Sequence, residues 1–245
     1  MGENKLKLNA GKTHFLTVGT SARVDSLANP VEVFMEGITL REQVERSEKL
    51  LGVHVQYNLK WQKTLEELRK KLKKRLAGLQ KLKNVVPLNQ LKIITQGIFN
   101  SIMVYCLPLY GGCNKGDLEA VQVLQNKAAQ IVTKSPPRTQ RNQMYDKLDW
   151  LSVTQLTAYH TLLQVYKIRK QKEPEYLHEI LSRENRNGNI IITNTDLSLA
   201  KTSFKFRGSE LWNSLPGHIR NSEKIGTFKQ ACRKWVKDRI PRFYN

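Results

Sequence analysis

The sequence predicts an α+β fold that is mostly α-helical, with a small antiparallel sheet near its N-terminal end. Short alternating or β-branched apolar runs lie mainly in residues 1–59. Beyond residue 60, apolar side chains recur instead with the three-and-four spacing of amphipathic helices. At 245 residues, 40% of them apolar, the chain can build one large domain or two small ones around a real core.

The chain is strongly basic, and the charge is unevenly distributed. The formal net charge is +20 and the pI is about 10.0. Basic and acidic residues balance in residues 1–59, so the whole excess lies beyond Leu59. Nucleic acid is therefore the expected partner, ahead of an anionic membrane surface. A membrane span is not expected, because the longest apolar stretch, Ile98 to Tyr110, is too short.

Cysteine and histidine usage predicts neither disulfides nor a metal site. The three cysteines are odd in number and far apart, which is typical of a reducing, intracellular compartment. The five histidines are scattered, and no combination has the spacing of zinc ligands.

Local patterns predict the elements in order. Ser152 and Gln155 have the spacing of a capping box, as do Thr227 and Gln230 before the last helix. Predicted strands are Lys12–Val18, a hairpin of Val31–Phe34 with Ile38–Leu40, and Leu50–Val55. Predicted helices are 62–83, Leu88–Tyr105, Asp117 to about Ser135, Val153–Gln171, Pro174–Leu181 and one from Thr227, with an irregular loop near 183–200.

The 62–83 helix has two opposite faces on a wheel of 100° per residue. Its apolar side carries a leucine row, Leu65, Leu68, Leu72, Leu76 and Leu79. Its opposite side carries Lys63, Lys70, Lys74 and Lys81, spread over roughly 27 Å, with Lys73 and Arg75 at the margins. Arg233 and Lys237 form a weaker second basic patch on the last helix. Either these are phosphate contacts or they are merely a solvated helix face.

Several short blocks, taken in order, resemble the C-terminal part of reverse transcriptases from non-LTR (LINE-type) retrotransposons. The resemblance covers most of the chain. The blocks are Leu8-Asn9-Ala10-Gly11-Lys12-Thr13, Leu51-Gly52-Val53 followed by Leu59-Lys60-Trp61, Tyr110-Gly111, Leu124-Gln125-Asn126-Lys127-Ala128-Ala129, Asp149-Trp150-Leu151-Ser152-Val153, Arg207-Gly208, Leu211-Trp212-Asn213-Ser214-Leu215-Pro216, Ile219-Arg220 and Phe228-Lys229.

This resemblance implies three regions and a binding role. Residues 1–59 would be a truncated, palm-like β segment, 60–135 a basic thumb-like helical bundle, and 136–245 a distal helical region. The thumb of such an enzyme holds the template–primer duplex, so RNA, DNA or an RNA–DNA hybrid is the implied partner. The six cations of the 62–83 helix would contact its phosphates, with Arg233 and Lys237 as a weaker second patch.

The family's catalytic carboxylates have no counterpart in this sequence. Polymerisation in the family depends on Mg²⁺ held by an adjacent Asp pair and a further Asp. No Asp-Asp pair occurs here, and the chain begins just after the point where that hairpin would lie. We therefore expect no polymerase activity and no cofactor from this chain alone, with a palm-containing segment supplied elsewhere. The family's Cys-Cys-His-Cys knuckle is also missing.

Two other interpretations remain open. The leucine row of the 62–83 helix is also typical of a protein-interaction module that pairs with a partner helix. The chain is also consistent with a decayed element remnant that has no selected function.

Overall fold

The computed structural model describes residues 9, 12–27, 33–35, 37–42, 46–193 and 195–241. It confirms the predicted α+β, mostly α-helical class. The chain divides into two compact units, Met1–Thr64 (unit 1) and Leu65–Asn245 (unit 2). The predicted border at residue 135 falls inside unit 2, where helices on both sides of it are in contact.

Unit 1 contains a small three-stranded sheet and a short helix. Its elements are β1 (His14–Phe15), α1 (Ser21–Asp25), β2 (Val33–Met35) and β3 (Ile38–Glu42), with strand order β1-β3-β2. The predicted hairpin is confirmed, since β2 and β3 pair antiparallel with Met35 opposite Ile38. However, β1 pairs with β3 in parallel, so this sheet is mixed.

The first predicted strand is much shorter than expected. Only His14 and Phe15 of the predicted Lys12–Val18 strand join the sheet. Just before them, the Thr13 hydroxyl donates to the Asn9 carbonyl over 2.8 Å and closes a turn. Residues 31, 32 and 36 of the predicted hairpin, and residues 8, 10 and 11 of the first sequence block, lie outside the described residues.

The prediction of one strand over Leu50–Val55 is wrong. The chain instead forms an antiparallel hairpin of β4 (Ser47–Leu50) and β5 (Val53–Gln56). Its turn residues, Leu51 and Gly52, have φ of 47° and 84°, the left-handed conformations of a two-residue hairpin turn. An apolar run resembles a strand in sequence, but Leu51 is 81% exposed at the tip.

Helix α2 (Gln62–Leu82) begins in unit 1, directly after this hairpin. The Thr64 hydroxyl donates to the His54 carbonyl over 3.1 Å and accepts from the His54 amide over 2.9 Å. The Gln56 side chain accepts from the backbone N–H of Lys63 over 3.1 Å. These contacts hold the first turn of α2 against β5.

Unit 2 is helical. Its elements are α3 (Leu88–Thr95), a π-helical turn (Gln96–Asn100), α4 (Ser101–Val104), α5 (Leu107–Tyr110), α6 (Lys115–Thr133), α7 (Arg141–Leu148), α8 (Val153–Gln171), α9 (Glu175–Ser182), α10 (Ser198–Lys201), α11 (Phe204–Ser214), α12 (Gly217–Arg220) and α13 (Ile225–Arg239). The bounds predicted for α8 are confirmed. Its capping box is also confirmed, because the Ser152 hydroxyl accepts from the Gln155 amide and the Gln155 side chain accepts from the Ser152 amide.

Two predictions at the C-terminal end need correction. The last helix begins at Ile225 rather than Thr227, and no capping box forms there, because Thr227 already lies in its first turn. Residues 183–193 and 195–197 are largely irregular and contain a bridge between Glu184 and Ile190, whereas α10 begins at Ser198, within the predicted loop. Helices α7 and α11 were not predicted.

The core of unit 2 is organised around α8, which contacts α5, α6, α11 and α13. On its C-terminal half, the Tyr166 and Phe228 rings stack with centroids 4.1 Å apart, and the Trp212 ring centroid lies 6.1 Å from that of Phe228. Trp150 and Trp212 are buried, whereas Trp235 is half-buried. This packing fixes the orientation of the surrounding helices.

Candidate nucleic-acid interface

The leucine row of α2 is buried, which fixes the side of the helix that faces solvent. Its five leucines are between 0 and 8% exposed. Five of the predicted phosphate contacts on the other sides are exposed, namely Lys70, Lys73, Lys74, Arg75 and Lys81. The helical period therefore separates the apolar and basic faces as the sequence predicts.

Lys63 differs from the other predicted contacts, because its side chain is half-buried within unit 1. Its ammonium group donates to the Ser47 hydroxyl over 3.0 Å. A phosphate at this position would have to compete with that hydrogen bond. Lys63 is therefore bound within the fold more tightly than the lysines further along α2.

Lys70 is exposed but paired with a carboxylate. Its ammonium nitrogen lies 2.8 Å from Glu66 Oε1, one helical turn earlier. The hydrogen bond from Lys70 lowers the pKa of Glu66, and the same bond raises the pKa of Lys70. The i, i+4 spacing of Glu66 and Lys70 was the sequence signal for this pair.

Beyond Lys70 the helix carries only positive charge. No acidic residue occurs between Leu68 and Asn84 in the sequence. We use the name α2 basic surface for its six exposed cations, Lys70, Lys71, Lys73, Lys74, Arg75 and Lys81. Lys71 was not singled out from the sequence, since it lies between the lysine stripe and the leucine row. In the part of the chain that the structure describes, Lys70 is the only one of the six in an ion pair.

The predicted second patch is engaged within unit 2. Arg233 lies 3.1 Å and Lys237 lies 2.8 Å from the Asp149 carboxylate, and Arg233 also donates to the Asp149 carbonyl over 2.5 Å. The hydrogen bond from Lys237 is the main cause of the lowered pKa of Asp149. Both cations hold α13 to the C-terminal end of α7, so they offer less free charge than the sequence suggests.

No protein-family model matches the chain, and no curated protein or solved structure shows detectable similarity to it. None of the helices in the described ranges combines the length and apolarity needed to cross a bilayer.

Burial shifts the pKa of two thiols and one imidazole in unit 2. Burial raises the pKa of Cys113 and of Cys232 to about 12, so both thiols are protonated at neutral pH. Burial also lowers the pKa of His160. Among the described residues, no three His, Cys, Asp or Glu side chains are grouped to hold a metal ion.

Proposed function

We propose that this chain is the nucleic-acid-holding part of a non-LTR retrotransposon reverse transcriptase, and that the α2 basic surface contacts the phosphates of the template–primer duplex. The observation that carries the proposal is the α2 basic surface itself. It presents six exposed cations in an acid-free segment, on a helix whose leucine face is buried. The partner is RNA, DNA or an RNA–DNA hybrid.

The dimensions of this surface suit a duplex. Lys70 and Lys81 are separated by about 17 Å along the helix axis at 1.5 Å per residue. A duplex of that length carries about ten phosphates, so six cations do not exceed the charge available. Helix α2 has no aromatic residue on which a base could stack. The expected contacts are therefore to the backbone and are independent of base sequence.

The same proposal includes a limit on activity. The sequence has no adjacent Asp pair to hold the Mg²⁺ ions used by the enzymes it resembles. We therefore expect no primer extension by this chain alone, and a palm-containing segment would supply the chemistry. Metal-dependent DNA synthesis by the purified chain would contradict this part of the proposal.

Fluorescence anisotropy with a labelled RNA–DNA hybrid tests the binding role. Replacing Lys73, Lys74, Arg75 and Lys81 by Gln should reduce the slope of log K against log salt from about −5 to about −2, because about four phosphate contacts are lost. The matched control replaces Lys201, Lys205, Lys229 and Lys234, four exposed lysines outside α2, by Gln. Equal slopes in the two variants would show that the salt dependence of binding is set by the net charge of the protein and not by the cations of α2.

The alternative, a protein-interaction module, would use the leucine row of α2. All five leucines are buried within the described structure, so that alternative requires a rearrangement of α2. Light scattering measures the molecular mass of the two charge variants in solution. If the leucine row pairs with a partner helix, an oligomer should persist after the lysines are replaced. No structural observation favours this alternative over nucleic-acid binding.

A further inference from the structure

A polar cavity of about 550 Å³ lies in unit 2, between the C-terminal end of α8, the loop after α9, and α12. Its size falls in the range of roughly 300–1,000 Å³ that is typical of small-ligand sites. Its charged lining residues are Arg169, Lys170, Glu184, Arg220 and Glu223. None of them belongs to the α2 basic surface.

Arg220 is held in a fixed orientation at this cavity. Its Nη1 atom donates to the Gly188 carbonyl and to Asn189 Oδ1, both over 3.0 Å. These two bonds use both hydrogens of Nη1. Within the described residues, Nε and Nη2 have no hydrogen-bond acceptor. A guanidinium group fixed in this way retains the two-donor edge that pairs with two oxygens of a phosphate.

Arg169 forms a wall of the cavity, and its charge is already balanced. It donates to the Leu181 carbonyl and to the Glu184 carboxylate. Its guanidinium carbon lies 5.2 Å from the centroid of the Trp212 ring. Because Glu184 neutralises Arg169, neither group contributes a free charge to a ligand.

The remaining charges favour an anion. Lys170 is exposed, and no ion pair holds it among the described residues. With Arg220 it provides two positive charges against the single carboxylate of Glu223. Glu223 is exposed, and its carbonyl, rather than its carboxylate, accepts the bond from the Tyr166 hydroxyl. The cavity therefore combines the guanidinium group of Arg220, oriented by two hydrogen bonds, with the exposed ammonium group of Lys170 and the opposing carboxylate of Glu223.

We propose that this cavity binds a phosphate monoester, with the Nε and Nη2 edge of Arg220 as the bidentate donor and Lys170 as the second cation. A free nucleotide and the phosphorylated end of a strand share this chemistry. This proposal does not rest on the α2 basic surface, so either can fail without the other.

Calorimetry with the full chain tests it, using AMP, adenosine, inorganic phosphate, and a trinucleotide with and without a 5′ phosphate. AMP and inorganic phosphate should bind, whereas adenosine should not. Arg220→Lys should weaken AMP binding about tenfold or more, because it keeps the charge but loses the fork. The trinucleotide pair shows whether a strand end or a free nucleotide is the better ligand.

Two exposed positions keep the test independent of folding. Lys170→Gln should weaken AMP binding severalfold, and Glu223→Gln should strengthen it severalfold because an opposing charge is removed. Arg239→Gln, an exposed charge change that does not line the cavity, is the matched control and should leave binding unchanged. Adenosine binding as tightly as AMP, no binding of AMP at millimolar concentration, or Lys170 and Glu223 variants that behave like the control would each overturn the proposal.

Discussion

The ammonium nitrogen of Lys237 lies 2.8 Å from Oδ1 of Asp149, although the two residues are 88 positions apart in the chain. Asp149 ends α7 in a left-handed conformation with φ of 52°. Arg233 binds the same carboxylate from the previous turn of α13. A pair of cations that looks like a binding patch in sequence is therefore also a link between two helices.

Replacing Asp149 by Asn should lower stability at neutral pH by about 0.5–1 kcal/mol, the scale of partly exposed ion pairs. The pKa of Asp149 is lowered in the folded state, so its contribution is present above the carboxyl's unfolded pKa, and is lost as the pH falls through the folded value. Urea denaturation at pH 7 and near pH 2 measures the difference in free energy of unfolding between the variant and the unsubstituted protein. This difference should be smaller near pH 2. Asp238→Asn, at an exposed carboxylate on α13, is the control, and an equal effect there would contradict this account.

The buried face of α2 predicts a large effect at its centre. Leu72 is 0% exposed, so Leu72→Ala should cost about 2–5 kcal/mol through lost burial and a residual cavity. Val85→Ala, at a side chain 79% exposed, should change stability by less than about 0.5 kcal/mol. Denaturant midpoints of the two variants provide the measurement. A small loss for Leu72→Ala would mean that α2 is not packed on its leucine row.

Two glycines should respond to alanine with opposite signs. A Cβ at Gly112 would lie 2.2 Å from the Thr202 carbonyl oxygen and 2.8 Å from Nε of Arg207, whose Nη2 donates to the Pro108 carbonyl over 2.6 Å. Gly112→Ala should thus destabilise by about 1–3 kcal/mol or more. Gly78, inside α2, has nothing within 4 Å of its added Cβ, so Gly78→Ala should stabilise by up to about 1 kcal/mol. Thermal melting of both variants checks the signs.

Removing the confirmed helix cap should cost more than removing the incorrectly predicted one. Ser152→Ala takes away the hydroxyl that accepts from the Gln155 amide over 3.2 Å and should destabilise by about 1 kcal/mol. Thr227→Ala should have a much smaller effect, since Thr227 is exposed and lies inside the helix rather than at its cap. Chemical denaturation of both variants measures the two losses in free energy of unfolding. Equal losses would show that Thr227 caps α13 after all.

Much of the fold could be predicted where the signal is local. The capping box at Ser152 and the basic residues near Gln171 placed α8 at its observed bounds. The apolar period identified the buried face of α2. The prediction failed at Leu50–Val55, because an apolar run does not reveal whether its centre is a strand or an exposed hairpin turn. It also missed α7 and α11, whose burial depends on partners elsewhere in the chain.

The sequence alone determined the net charge and the location of the excess charge beyond Leu59, because both follow from composition. It also determined the opposite leucine and lysine faces of α2, because a period of 3.6 residues depends only on the spacing of neighbouring positions. Only the tertiary structure decided which cations remain available. Lys63 donates to Ser47, and Arg233 and Lys237 meet Asp149, while Lys74 and Lys81 are exposed. The physical reason is that a charged side chain pairs with a group that tertiary contacts bring close to it from a distant segment, and no local sequence pattern specifies those contacts.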